Sequence, residues 1–398
     1  MIEGHDIICF SNDWDSDPLS KKHIMQRLAK RNRVLWINSI GNRNPTASVR
    51  DLKRAVKKLR DFSKGSKSIN ESIHVYSPIA IPFHGNPLAR WINRRILQWS
   101  VRRVCRRLRF ENAVTWTFEP TSADIAGSLG EQAVVYHCVD EFSEFSGTDK
   151  LALLELERRL IEKSDCVFVS SDRLLANKRQ YNPRTFLVTH GVDVGHFRKA
   201  CDSETILPEE MKTLERPAIG FFGLIADWVD LELIRFLAAS EPDWNFVLIG
   251  KHVTDVRIVD RVKNIHLLGP RPYALLPSYA KAFDAAMLPF VVNDLTLAAN
   301  PLKLREYLAA GLPVVASAIP EAEKLRGILR IGRNKLDFLH QLRTIVKSGI
   351  TGPQLSISRQ METESWDEKV EQLSGIFAST VSADSMPEGA TGRVKAQR

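Results

Sequence analysis

The chain has 398 residues, 44% hydrophobic and 26% charged, with a net charge of +9; this is length for two or three domains and an ordinary balance for a globular protein. Its five cysteines, Cys9, Cys105, Cys138, Cys166 and Cys201, are odd in number and never in CxxC spacing, which argues against a disulfide framework or a structural zinc and for a reducing compartment. No apolar run approaches the roughly 18 residues needed to span a bilayer, and "MIEGHDIICFSNDWD" has no cleavable signal pattern, so the expectation is a cytoplasmic protein.

"DIICFS" (6–11) reads as the first strand. In the "NDWDSDPLSKKH" that follows, Asp13, Asp15 and Asp17 have the acid-x-acid spacing of a divalent-cation loop. The same residues suit a plain loop, with Ser20 capping a helix over 20–31, or contact with an acceptor substrate. A second strand, "RVLWIN" (33–38), leads into a basic helix and then "IHVYSP" (73–78).

Positive charge is concentrated here: residues 50–109 carry sixteen Lys or Arg, among them Lys53, Arg54, Lys57, Lys58 and Arg60, against Asp51, Asp61 and Glu71. Within it, "LARWINRRILQWSVRRVCRRLRF" places Leu88, Ile92, Ile96, Trp99, Val104 and Leu108 at roughly helical spacing with arginines in the intervals. Such a helix suits an anionic membrane surface, where each nearby cation contributes about 1 kcal/mol. A solvated face packed on its own domain is the plain alternative. Nucleic acid is the weakest reading, because no zinc-finger, RNP or helix-turn-helix signature accompanies the charge.

Next come "AVTWTF" (113–118), "AVVYHCV" (133–139), the helix "LALLELERRLIEK", "DCVFVSS" (165–171), a helix over 172–180 and "TFLVTHG" (185–191). Glu119 follows one strand end, and His137, Asp140 and Glu141 cluster at another, the rim where α/β proteins keep their active groups. A histidine beside carboxylates is a general base or a hydrogen-bonded loop residue; Glu119 caps the 121–129 helix or touches substrate. His190, in "THGVD", is read as shaping the turn into the connector.

A second series of strands runs through "PAIGFFG" (217–223), "WNFVLIG" (244–250), "NIHLLG" (264–269), "FDAAMLPF" (283–290) and "LPVVAS" (312–317). The alternation predicts two parallel, doubly wound Rossmann-like sheets, 1–195 and 196–352, with ligands expected in the cleft between their carboxyl ends. The polar stretch 196–216 reads as a connector without a core pattern, 353–379 as a C-terminal helix and 380–398 as a disordered tail. Gly220 and Gly223 in "IGFFGLIADWVDLELI" would let a diphosphate approach the backbone, with a helix starting near Asp227 or Trp228. In "ANPLKLREYLAAGLPVVAS" (299–317), Asn300 reads as an N-cap, Pro301 as the first helical residue and Gly311 as the residue past the helix end. Lys303 and Glu306 are neighbours on that helix, beside N–H groups without intrahelical partners, which outlines a phosphate site.

Taken together, "HGVDVGHF", the glycine turn, "SNDWDSDPLSKKH", "YHCVDEFSEFSG", "NDLT" and "NPLKLREYLAAG" resemble retaining family 4 nucleotide-sugar glycosyltransferases of GT-B fold, most of all bacterial teichuronic-acid and exopolysaccharide transferases, over about residues 5–375. The resemblance implies a nucleotide-sugar donor, with UDP the expected nucleotide, on the second half. Glu306 would hold the ribose, Lys303 and its helix amides the diphosphate, Gly223 the close approach, and Asn300 and Arg271 further donor contacts. It implies a saccharide or lipid-linked acceptor on the first half, near Asp13, Ser20, His23, Glu119 and Asp140. No cofactor and no metal are expected.

The chain departs from the family pattern at three places, one being that the usual Arg and Lys after the glycine turn are absent from "GLIADWVD". The first glutamate of Glu-x7-Glu falls on Ala298, for which Asp294 is the candidate substitute. The histidine that often precedes Glu-Pro is Phe118, for which His137 is the candidate. Sugar-nucleotide epimerisation and a non-catalytic, membrane-associated scaffold are the competing functions.

Overall fold

The computed structural model describes residues 2–16, 18–40, 62, 65–81 and 86–384. Asp17, the basic helix expected near 50–60 and the tail beyond Asp384 lie outside them. Twelve strands fall where the apolar runs predict: β1 (Asp6–Phe10), β2 (Arg33–Ile37), β4 (Ile73–Tyr76), β5 (Ala113–Thr117), β6 (Ala133–Cys138), β7 (Cys166–Val169) and β8 (Thr185–Leu187), then β9 (Ala218–Phe222), β10 (Asn245–Ile249), β11 (Ile265–Gly269), β12 (Ala285–Leu288) and β13 (Val314–Ser317). Two short edge strands, β3 (Lys67–Ser68) and β14 (Arg330–Gly332), were not legible in the sequence.

The first sheet has the order β3-β4-β2-β1-β5-β6-β7-β8 and the second β11-β10-β9-β12-β13-β14. All pairings are parallel except β3 with β4. Most central strands, including β1, β5, β6 and β9, are buried along their whole length, as parallel strands covered on both faces must be. In each sheet the strand order reverses once, between β1 and β5 and between β9 and β12. Crevices at such switch points receive ligands in doubly wound folds.

The stretch expected to be a plain connector is partly core. Phe197, Ala200 and Met211 are buried in the second half's hydrophobic cluster, because a short helix, Val194–Phe197, turns its aromatic ring onto Phe222. The expected helix at 353–379 is two helices, Leu355–Arg359 and Trp366–Asp384. The second crosses back: Trp366, Val370, Leu373 and Phe377, one stripe at helical spacing, share a cluster with Trp116, Phe118 and Phe168 of the first sheet. Its helix runs through residues 380–384, which were expected to open the disordered tail.

Candidate active site

The two switch points face one another across a cleft of about 550 Å³. From the first half it is lined by Asn12 after β1, Ser20 and Lys21 on the Ser20–Leu28 helix, Glu119 after β5 and Asp140 after β6; from the second, by Gly223 after β9, Trp228, and Asn300 to Lys303. Sequence-predicted Ser20, Glu119, Asp140, Gly223, Asn300 and Lys303 are therefore brought together from positions up to 283 residues apart.

On the second wall, the Leu302–Ala309 helix starts at Pro301 with no side chain capping it. Uncapped N–H groups there favour an anion. Lys303 Nζ donates to Glu306 Oε2 at 2.6 Å and lies 5.2 Å from the centre of the Phe222 ring. Glu306 is buried and stands outside the lining, reaching the cleft through that bond. The next residue, Tyr307, fixes the end of β9: its hydroxyl accepts from Phe222 N at 3.0 Å and donates to Phe222 O at 3.1 Å. That places Gly223 beside Lys303, whose Cε would be 3.5 Å from a Cβ on the glycine.

The glycines of this turn divide in role. Gly220 lies within β9, and a Cβ there would stand 2.0 Å from the Phe283 ring, so it serves packing and not the approach of a diphosphate. Gly250, which the sequence reading did not single out, is the partner of Gly223. The helix after the turn begins at Leu231, capped by Asp230, instead of near Asp227 or Trp228.

Asn300 is not an N-cap. It is buried, with Nδ2 donating to Ser170 O at 2.6 Å and Oδ1 accepting from Arg305 Nη1 at 2.6 Å. Arg305 Nε in turn donates to Glu364 Oε2 at 3.0 Å. Asn300 is thus a tie between the halves that also borders the cleft. Ser20 likewise does not cap; it is the first residue of its helix, after Leu19.

On the first wall, Lys21 Nζ donates to Glu119 Oε1 at 2.7 Å, and both side chains are buried. Lys21 was missed; its one sequence signal is its place just after the first strand and its loop. Asp140 is half-buried, and burial raises its pKa to about 6, with Lys21 pulling it down and Glu119 and Glu141 pushing it up. Glu141 itself faces away, held by Lys178 Nζ at 2.9 and 3.0 Å. Lys178 also donates to Glu157 at 2.7 Å, so a buried ionic cluster anchors the loop that carries Asp140. His190, expected only to shape a turn, lines the cleft and packs against Trp366.

Besides Glu306, five predicted residues do not line it. His137 is buried in the first sheet's core, its ring 5.0 Å from Phe118 and its pKa pushed down to about 3 by burial and then by Lys21; it occupies the aromatic interior where a strand residue of its parity points. His23 stacks on Trp366 at 5.5 Å and contacts Tyr273, and burial lowers its pKa to about 4, with Arg27 acting in the same direction. Arg271 is spent on Tyr279, the Leu268 carbonyl and Glu210. Asp294 is the first residue of a short helix capped by Asn293 and pairs with Arg173 at 2.6 Å. Asp13 is exposed on its loop. Ala298, where a glutamate was sought, is buried, and its carbonyl accepts from Ser171 Oγ at 2.6 Å. Among the described residues, no group of three or more His, Cys, Asp or Glu could hold a metal ion, and no helix is long and apolar enough to cross a membrane.

Residues 216–348 match the family model "Glycosyl transferases group 1". A Bacillus subtilis (strain 168) protein named as a teichuronic acid biosynthesis glycosyltransferase, TuaH, is 27% identical over 238 residues, 54% of this chain. The chain spans 58% of that relative's length. Among solved structures, sucrose-phosphate synthase from Thermosynechococcus elongatus superposes with a TM-score of 0.69 at 13% identity, covering 96% of this chain and all of that one. Anabaena Alr3699/HepE in complex with UDP-glucose superposes with a TM-score of 0.65 at 14% identity, covering 94% of this chain and all of that one. At these identities the likeness is one of fold, and the fold is GT-B.

Proposed function

From a chain of GT-B fold whose second half carries a glycosyl transferase group 1 domain, we propose a retaining glycosyltransferase that moves a sugar from a UDP-linked donor to a saccharide or lipid-linked acceptor in the assembly of an envelope or exported polysaccharide, at the inner face of the cytoplasmic membrane. The observation that carries the reading is the juxtaposition of Lys303, paired to Glu306, with Gly223 and an uncapped helix start at the β9/β12 switch point. A diphosphate needs a cation, free N–H donors and an approach unobstructed by a side chain, and all three meet there. The relative named for teichuronic acid synthesis and the neighbour bound to UDP-glucose support the donor and the process.

In the proposed reaction the donor diphosphate lies over Gly223 against Lys303 and the amides of Leu302 and Lys303. Glu306 holds Lys303 with one carboxylate oxygen; to take the ribose with the other, the buried carboxylate must turn toward the cleft that it now stands behind. The acceptor hydroxyl, positioned by Ser20, Glu119 and Asp140, attacks the anomeric carbon on the face from which the diphosphate leaves. The departing diphosphate accepts the hydroxyl proton, so configuration is retained. Catalysis here is positioning together with stabilisation of charge on the leaving group, with Lys303 and the helix amides as its source and no metal required.

The test is a panel of nucleotide sugars, measured first for binding and then for transfer to polysaccharide or lipid-linked acceptors. Binding of a UDP-sugar, with slow UDP release in the absence of acceptor, is the expected result. Failure of every nucleotide sugar to bind would return the scaffold reading, and conversion of the donor to an isomer without transfer would return the epimerase.

A further inference from the structure

The Pro87–Leu108 helix carries seven arginines and no carboxylate. The stripe read from the sequence splits in the structure: Leu88 is 66% and Trp99 57% exposed, as is Trp91 at 57%, whereas Val104 is buried. The buried stripe consists instead of Ala89, Asn93, Leu97, Ser100, Val101 and Val104. Small side chains let the helix lie close to the sheet, and Asn93 fixes its phase by exchanging hydrogen bonds with the Ile81 backbone at 2.7 and 2.8 Å. The phase puts Leu88, Trp91, Arg95, Trp99, Arg102 and Arg106, spaced by three or four residues, on one outward face opposite the buried one.

A helix of 22 residues makes this face about 33 Å long. Arg95 and Arg103 lie against Trp91 and Trp99, 5.5 and 5.8 Å from the ring centres. Among the described residues, the one ion pair the helix makes is Arg90 with Asp124, at 2.7 Å; the other six arginines are exposed, with Arg102 also donating to the Ser128 carbonyl at 2.6 Å. Two tryptophans and a leucine exposed among exposed arginines leave apolar surface in water. They match an interface that is apolar on one side and anionic on the other.

We propose that this face docks the protein on an anionic lipid bilayer, with Trp91 and Trp99 seated at the boundary between headgroups and acyl chains and the arginines among the headgroup phosphates. The cleft end of the helix is the one nearest the acceptor wall: Arg90 is paired to Asp124 in the turn Pro120–Asp124, which directly follows cleft-lining Glu119. Docking therefore brings the acceptor side of the cleft to the membrane. That use of the surface rests on the glycosyltransferase reading; the surface itself does not. An exposed leucine beside the two tryptophans gives the face apolar area that a lipid interface rewards and a nucleic-acid backbone does not.

The test compares the full chain with Trp91→Ser/Trp99→Ser and Arg95→Glu/Arg103→Glu. Each is sedimented with vesicles of phosphatidylcholine alone, or with roughly 30% phosphatidylglycerol, at about 0.15 M salt. The wild type should bind the anionic vesicles and not the neutral ones, with quenching of tryptophan emission by brominated lipid. Each double substitution should weaken binding about tenfold or more, and the tryptophan pair should remove most of the quenching. Because these side chains are exposed, thermal unfolding and UDP-sugar affinity should not change. Undiminished vesicle binding by both variants would overturn the proposal. So would tighter binding of the wild type to generic duplex DNA than to vesicles, abolished by the same substitutions. Vesicle binding without any UDP-sugar binding would leave the docking face standing and remove the enzymatic reading.

Discussion

Gly250 and Gly223 meet backbone to backbone: a Cβ built on Gly250 would lie 1.7 Å from the Gly223 carbonyl oxygen. Gly223 N donates to Ile249 O at 2.8 Å and Ile225 N to Lys251 O at 2.9 Å, so the turns after β9 and β10 are stitched together under the proposed diphosphate. Gly250→Ala must displace the Gly223 turn, at a cost of about 1–3 kcal/mol. The expected outcome is a lower unfolding midpoint together with weaker UDP binding by calorimetry. Gly220→Ala, which instead collides with Phe283, should lower stability and leave UDP affinity per folded molecule unchanged.

Removing Lys303 tests the leaving-group site. Lys303→Ala should lower kcat/KM by about 10²–10³, the range found when a preorganised charge-stabilising group is lost. Glu306→Gln keeps the shape and the hydrogen-bonding capacity but loses the ion pair, and should retain more activity than Glu306→Ala. Full activity in Lys303→Ala would contradict the assignment.

Asp140 gives a pH signature. Its folded-state pKa, about 6, lies above the ordinary aspartate value, so between about pH 4 and 6 the folded protein binds more protons than the unfolded chain. The Asp140 contribution to stability therefore falls as pH rises through that window. The buried histidines His23 and His137, with folded pKa values near 4 and 3, act oppositely and lose stability as pH falls below about 6. Comparison of denaturant midpoints for wild type and Asp140→Asn isolates the carboxyl: the variant should gain most relative to wild type above pH 6 and least near pH 4.

The Asn300 tie predicts a coupling between the halves. Asn300→Ala leaves Arg305 without one of its acceptors and the Ser170 carbonyl without its donor, a loss of about 1–3 kcal/mol for buried polar groups. Calorimetry should show a lower transition temperature. Unchanged unfolding would mean that the halves do not depend on this bond.

The residues missed at the site share a cause. Lys21 is one of two adjacent lysines in the sequence, and only its approach to Glu119, 98 residues away, separates it from Lys22, which donates instead to the Trp14 carbonyl. His190 read as a turn residue because the helix start at Trp366 that packs beside it lies 176 positions later. Conversely, Lys303 and Gly223 were legible because a helix start and a strand-end glycine are local signals.

By itself the sequence determined the twelve principal strands and their division into two series, because a parallel strand covered on both faces must be a continuous apolar run. It also determined the Lys303–Glu306 pair, because residues three apart on a helix are neighbours whatever surrounds them. The tertiary structure alone decided which polar groups reach the cleft. It assigned Asn300 to the join between halves, turned His137 into the core, sent the C-terminal helix back onto the first sheet, and rotated Trp91 and Trp99 outward. Each of those outcomes depends on which distant surface a residue packs against, and hydrophobic periodicity fixes a face but not its partner.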